Sequence, residues 1–156
     1  MASPTVDLVR SLFMAWARGD WSSVEWAHPQ IEFAIADGPS PGTWAGVSGM
    51  ADGFRQVMNA WQGYSSAAEE FVLLDEERVL VLHRLSGRGK VSGLELGRVQ
   101  PKAAGIFQVR DGKVVSIVPY YSRERALADL GLTGEREILE RGHAREAGEA
   151  GTDAKP

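Results

Sequence analysis

The amino-acid sequence predicts one α+β domain, with helices gathered near the N-terminus covering one face of a long, curved antiparallel sheet. Three observations predict it. Before Gly63, apolar residues recur at helical spacing in three stretches. From Phe71 onward, β-rich runs are divided by polar or glycine-bearing turns. After Gly63, strands no longer alternate with helices, which excludes a doubly wound parallel sheet.

The elements follow in order. Ser3-Pro4-Thr5 opens a first helix, with proline in the first turn, where its missing N–H costs nothing. Leu8, Val9, Leu12, Phe13, Trp16 and Ala17 form its apolar stripe, and Gly19 stops it. Asp20 is placed to cap a second, short helix through Trp21, Val24 and Trp26, ended by Pro29. Gln30 to Ala36 reads as a short strand containing Glu32. Asp37 to Gly46 is a Gly/Pro loop carrying Trp44. Ser48 caps a third helix with Met50, Phe54, Val57, Met58 and Trp61 on its buried face, broken at Gly63.

The sheet follows. Phe71–Asp75 and Val79–Leu85 are strands joined by the turn Asp75-Glu76-Glu77-Arg78. Gly87-Arg88-Gly89-Lys90 is a flexible corner without the strand–loop–helix context of a phosphate loop. Leu94 to Arg110 is a long strand, Asp111-Gly112 a hairpin turn, and Lys113 to Tyr121 the last strand. A short helix spans Arg123 to Leu130. The domain is therefore placed at residues 1–132. Residues 133–156, rich in Glu, Arg, Gly and Ala, are expected to form a polar tail, in which Glu135–Ala147 can form a polar helix.

Composition narrows the function. At 156 residues the chain is large enough to bury about two-thirds of its unfolded surface without a metal or disulfide staple. It has no cysteine, which removes thiol nucleophiles, thiolate metal sites and disulfides together. A formal net charge of −4 argues against general nucleic-acid binding. No apolar run approaches a membrane span, and residues 1–7 lack the pattern of a signal peptide. A cytoplasmic protein is expected.

Several segments carry a family resemblance: Phe13-Met14-Ala15-Trp16-Ala17-Arg18-Gly19-Asp20, His28-Pro29-Gln30-Ile31-Glu32-Phe33, Trp44-Ala45-Gly46-Val47-Ser48-Gly49, Arg110-Asp111-Gly112-Lys113-Val114-Val115, and Ala126-Leu127-Ala128-Asp129-Leu130-Gly131-Leu132. In this order they resemble the SnoaL-like group of the nuclear transport factor 2-like superfamily, over about residues 5–132. The resemblance implies a cone, a cystatin-like α+β barrel. In it a curved antiparallel sheet wraps around three N-terminal helices and a cavity opens at one end. Relatives include ketosteroid isomerase, limonene epoxide hydrolase and polyketide cyclases, so the fold alone does not fix the reaction. Carried over, the isomerase's helix tyrosine falls at Leu12, its base near Ala34 and its protonated aspartate at Gly105. None keeps a polar group, so steroid isomerisation is not expected. The epoxide hydrolase's Asp–Arg–Asp arrangement has no clear counterpart.

Strand alternation gives the remaining polar candidates. If Val79 and Val81 face inward, so does His83. The family alignment turns Gly105, Phe107, Ile117, Pro119 and Tyr121 inward as well. His83, with an ordinary pKa of about 6.5, is the acid–base candidate, assisted by Tyr121 and Asp37. Each has a plainer role open to it: His83 as a packed ring bonded to Tyr121 or the backbone, Tyr121 as a rim aromatic, Asp37 as a shaper of its loop. Glu32 reads as a strand-to-strand partner for Arg84 or Arg98, and His28 as a helix-terminal ring. Trp16, Phe54, Met58, Trp61, Val81, Phe107 and Ile117 are the candidate ligand-binding residues, or simply core. No two histidines sit at metal-ligand spacing, so neither metal nor cofactor is expected. Two functions follow. One is a binding module for a small hydrophobic molecule, expected to be a homodimer, as in relatives that pair through the sheet's convex face. The other is an isomerase, hydrolase or cyclase using His83.

Overall fold

The computed structural model describes residues 3–38, 41–89 and 102–132. Helix α1 (Pro4–Ala17) starts where the sequence places it, with the Ser3 side chain accepting from the Val6 amide. Strand β1 (Ala27–Ile35) and the short β2 (Gly42–Ala45) precede helix α2 (Gly46–Ala60). Strands β3 (Trp61–Leu73), β4 (Arg78–Gly89), β5 (Lys102–Arg110) and β6 (Lys113–Tyr120) follow, then helix α3 (Arg123–Asp129). The six strands lie in the order β2-β1-β6-β5-β4-β3, in one curved sheet that does not close. The sheet is mixed rather than antiparallel throughout, because β1 runs parallel to β6, with Phe33 opposite Ile117.

The helices differ in number and place from the expected three at the N-terminus. Two lie there: α1 packs on β3 and β4, and α2 on β1, β2 and β3. The third, α3, packs on β5 and β6. It joins a second core of Val72, Leu80, Leu82, Ala104, Tyr120, Ala126 and Leu127, formed by residues that alternate with the inward ones along the strands. The helix expected over Trp21–Trp26 does not form. Asp20 does cap, but the cap closes a local turn, its Oδ1 accepting from both the amide and the hydroxyl of Ser22. Trp21 stacks instead on Trp16, 5.2 Å between ring centres and 8° from parallel.

Pro29 lies inside β1 rather than ending a helix. It falls in the register shift between Ala27 and Glu32, where no ladder donor is required of it. His28 belongs to the same irregularity, its Nδ1 accepting from the Gln30 amide 3.0 Å away, not to a helix terminus. The strand β3 begins directly after α2, ten residues before the expected start at Phe71. Trp44 lies on a strand, opposite Phe33, and not in a loop. The Gly87–Gly89 corner is part of β4. The turn Asp111-Gly112 has φ of +52° and +74°, the double left-handed conformation that a tight hairpin requires. Lys90, the first half of the expected long strand and everything after Leu132 lie outside the described residues.

Candidate functional site

The helices do not fill the concave side of the sheet. Between α1, α2 and the strands lies a cavity of about 90 Å³. Its wall is aromatic and aliphatic: Phe13 and Trp16 from α1, Phe54, Val57 and Met58 from α2, and Phe33, Ile35, Phe107 and Ile117 from the sheet. These rings brace one another. Phe13 meets Trp16, Phe71 and Phe107 edge-on at 5.2, 5.7 and 5.6 Å. Phe33 and Phe54 do the same at 4.6 Å. Such edge-to-face pairs add roughly 0.5–1.5 kcal/mol each beyond their buried area, so the wall is stiff. Trp21, 42% exposed, reaches the cavity from the segment after α1 and is the wall residue most open to solvent.

The polar groups in the wall come mostly from two strands and the end of a third. His83 is 7% exposed, as alternation with Val79 and Val81 predicts. Its Nδ1 lies 2.8 Å from the Ser66 hydroxyl. Burial lowers its pKa to about 4; a backbone hydrogen bond at Ala104 opposes this, Arg123 adds to it and Glu69 opposes it. The imidazole is therefore uncharged at neutral pH. Tyr121 lines the cavity, and its hydroxyl accepts from Trp61 Nε1 at 3.2 Å. Tyr64 lines it too, and burial pushes its phenol upward, with Tyr121 adding to the effect.

Of the ligand-binding candidates, the structure gathers Trp16, Phe54, Met58, Phe107 and Ile117 around the cavity, together with His83 and Tyr121. It places the other two, and the acid–base candidate Asp37, elsewhere. Val81 is wholly buried in the core behind the wall. Trp61 is buried behind Tyr121, serving it as a donor. Asp37 lies outside the lining, its two oxygens accepting from the amides of Tyr121 (2.6 Å) and Ser122 (3.2 Å). It thus fastens the end of β1 to the β6–α3 junction. Gly38 beside it has φ +90°, and a β-carbon there would lie 2.2 Å from the Tyr121 ring, so glycine is required.

Glu32 is exposed on β1, opposite Ser116, and Arg84 pairs instead with Glu69 at 2.7 Å. Of the positions carried over from the isomerase, Gly105 does line the cavity, whereas Leu12 is core and Ala34 alternates with the inward Phe33 and Ile35. The true wall positions nearby are Phe13, Trp16, Phe33 and Ile35, equally without a titratable group. Sequence reasoning missed Tyr64 and Ser66. The signal was their i, i+2 spacing, hidden because the polar stretch from Gly63 to Glu70 did not read as a strand. Among the described residues, no group of three or more His, Asp or Glu side chains is arranged to hold a metal ion, and no helix is long and apolar enough to cross a membrane.

An open, curved sheet closed over an apolar cavity by two helices is the architecture of a nuclear transport factor 2-like α+β cone. Residues 9–117 match the SnoaL-like domain, and the chain belongs to that family. Solved structures with this fold include a nuclear transport factor 2-like protein of Burkholderia pseudomallei, 21% identical, with a TM-score of 0.65 over 81% of this chain and 96% of that one. Another, from Burkholderia thailandensis, is 23% identical, with a TM-score of 0.64 over 76% and 90% of the two chains. A protein of Xanthomonas campestris pv. campestris, proposed to be a polyketide cyclase, is 25% identical, with a TM-score of 0.57 over 80% and 95%. No curated protein matches the sequence.

Proposed function

We propose that this SnoaL-like protein binds a small, uncharged hydrophobic molecule of about one ring in its cavity, and does so without turning it over. The observation that carries this reading is the wall itself. It is built from aromatic and aliphatic side chains, and its one histidine is uncharged at neutral pH and hydrogen-bonded to Ser66. Such a wall rewards removal of apolar surface from water and offers little to a charged ligand. The cavity's volume is smaller than the roughly 150 Å³ apolar site that takes up benzene in an engineered protein, but it is open on the Trp21 side, so part of a ligand can project outward.

The test is thermal denaturation with single-ring molecules such as toluene, cyclohexanone and indole. A ligand at 100 times its Kd stabilises by about 2.7 kcal/mol, which raises the Tm of a domain this size by several degrees. Met58→Trp, which fills a partly exposed part of the wall, is expected to abolish the shift while the protein stays folded. Absence of any shift across the panel, or an undiminished one in Met58→Trp, refutes the reading.

One observation favours a second reading, an isomerase, hydrolase or cyclase. The 2.8 Å contact between Ser66 and His83 lies in the cavity wall, and the similar Xanthomonas protein is proposed to be a polyketide cyclase. A base with a pKa of about 4 is weak at neutral pH, which places this reading second. Turnover of a cyclisable or hydrolysable substrate that is lost in both His83→Ala and Ser66→Ala would reverse the order.

A further inference from the structure

We propose that the cavity selects, among hydrophobic molecules of its size, those carrying one hydrogen-bond acceptor oxygen, such as a ketone or ester carbonyl, and that the Tyr64 and Tyr121 hydroxyls are the donors that hold it. This rests on the binding reading above and names the ligand's chemistry. Two tyrosines line the cavity with hydroxyl protons that no described residue accepts. The Tyr121 oxygen already accepts from Trp61 Nε1 at 3.2 Å, so the part of the hydroxyl left to use is its own O–H. A hydroxyl in that state is a donor toward anything in the cavity. Tyr64 lines the same cavity, and its hydroxyl has no hydrogen-bond partner among the described residues.

An O–H that no protein group accepts is free to donate to a ligand oxygen. Both phenols line the one cavity. One acceptor oxygen has two lone pairs and can take a proton from each. Other polar groups of the wall are spent differently: Ser66 and His83 bond to one another, and the Tyr120 hydroxyl donates to Asp129.

The experiment compares cyclohexanone with methylenecyclohexane, in which a CH₂ group stands where the carbonyl oxygen was. Binding is read by tryptophan fluorescence, to which Trp16 and Trp21 in the wall contribute, and by calorimetry. Comparing the same two ligands across variants cancels their different hydration. In Tyr64→Phe the preference for the ketone over the alkene is expected to fall about tenfold, with alkene affinity changed less than twofold. Tyr121→Phe should behave likewise. Alkene binding also reports that each variant keeps its cavity. If both ligands bind and both variants leave the preference unchanged, the donor assignment is overturned while the binding reading stands. If neither ligand binds the unaltered protein, the binding reading fails and this inference with it.

Discussion

His83 makes the fold sensitive to mild acid in a way that can be measured. In the unfolded chain a histidine titrates at about 6.5. In the fold, burial lowers the value to about 4. A group whose folded pKa is depressed binds fewer protons in the native state, so stability rises with pH between the two values and is lost as pH falls. The full separation is worth about 3 kcal/mol below both pKa values. Between pH 7 and pH 5 it is worth about 2 kcal/mol, since the unfolded histidine is by then almost fully charged while the folded one is still neutral. His83 is 7% exposed, so solvent screening takes little from this figure. The carboxylates held low by their partners act in a different window. Glu69, stabilised by Arg123 and Arg84, and Glu77, by Arg110 and Gln108, lose their contribution only as pH falls below about 4.5.

The assay is urea denaturation at pH 7, 6 and 5 for the unaltered protein and for His83→Asn, which keeps an acceptor for Ser66 without the titration. The unaltered protein should lose about 2 kcal/mol more than the variant over that range. His28 and His143 remain in both proteins and cancel. Equal losses in the two proteins, or an NMR titration of the His83 ring near 6.5, would refute the burial argument.

Other outcomes follow from close packing and buried charge. Gly53→Ala places a β-carbon 2.7 Å from the Phe33 ring and 3.0 Å from Trp44. The overpacking, about 1–3 kcal/mol, outweighs the helix-propensity gain of up to about 1, so a lower urea midpoint is expected. Arg123→Met removes a 5%-exposed guanidinium that donates to the Ala103 and His83 carbonyls and to Glu69; a loss of about 2–3 kcal/mol in chemical denaturation is expected, reduced from the fully buried case because Glu69 is a third exposed. Gly105→Ala puts a methyl 3.2 Å from Phe107 and 3.9 Å from His83 Nε2 inside the cavity. Its stability should stay within about 1 kcal/mol, because reduced backbone freedom offsets the tight contact, while ligand affinity measured by calorimetry falls.

Local chemistry carried much of the architecture. Ser3-Pro4 started α1, Asp111-Gly112 turned the hairpin, and the alternation Val79, Val81, His83 put the imidazole in the wall. What failed was either non-local or two-sided. The parallel pairing of β1 with β6 joins residues some 85 positions apart, and no local pattern marks it. Trp21 was read as helical because its spacing from Val24 allows it, yet stacking on Trp16 and the Asp20 turn hold the segment otherwise. Tyr64 and Ser66 lie on a strand whose neighbours Gln62, Ser65, Ala67, Ala68 and Glu69 are exposed, so its one-sided burial left too faint a period to see.

The position of the charges bears on the choice between binding and catalysis. Arg123 and Glu69 lie close enough to His83 to move its pKa, yet neither lines the cavity. They bond to each other and, through Arg123, to the backbone of β4 and β5. Their effects on the imidazole are opposite in sign and smaller than that of desolvation, which governs it. A general base would need the reverse arrangement, a carboxylate turned toward the ring to stabilise its charged form. Here the carboxylate that acts on the ring, Glu69, is committed to Arg123 and Arg84. A proton drawn from a ligand onto His83 would leave a cation in an apolar wall with its stabilising anion already spent. The same low polarity would strengthen the uncharged hydrogen bonds proposed from Tyr64 and Tyr121 to a ligand. Burial thus disfavours proton transfer and favours neutral recognition at one site, and the pH dependence predicted for His83 and the ketone preference proposed for the tyrosines would be two measurements of that single cause.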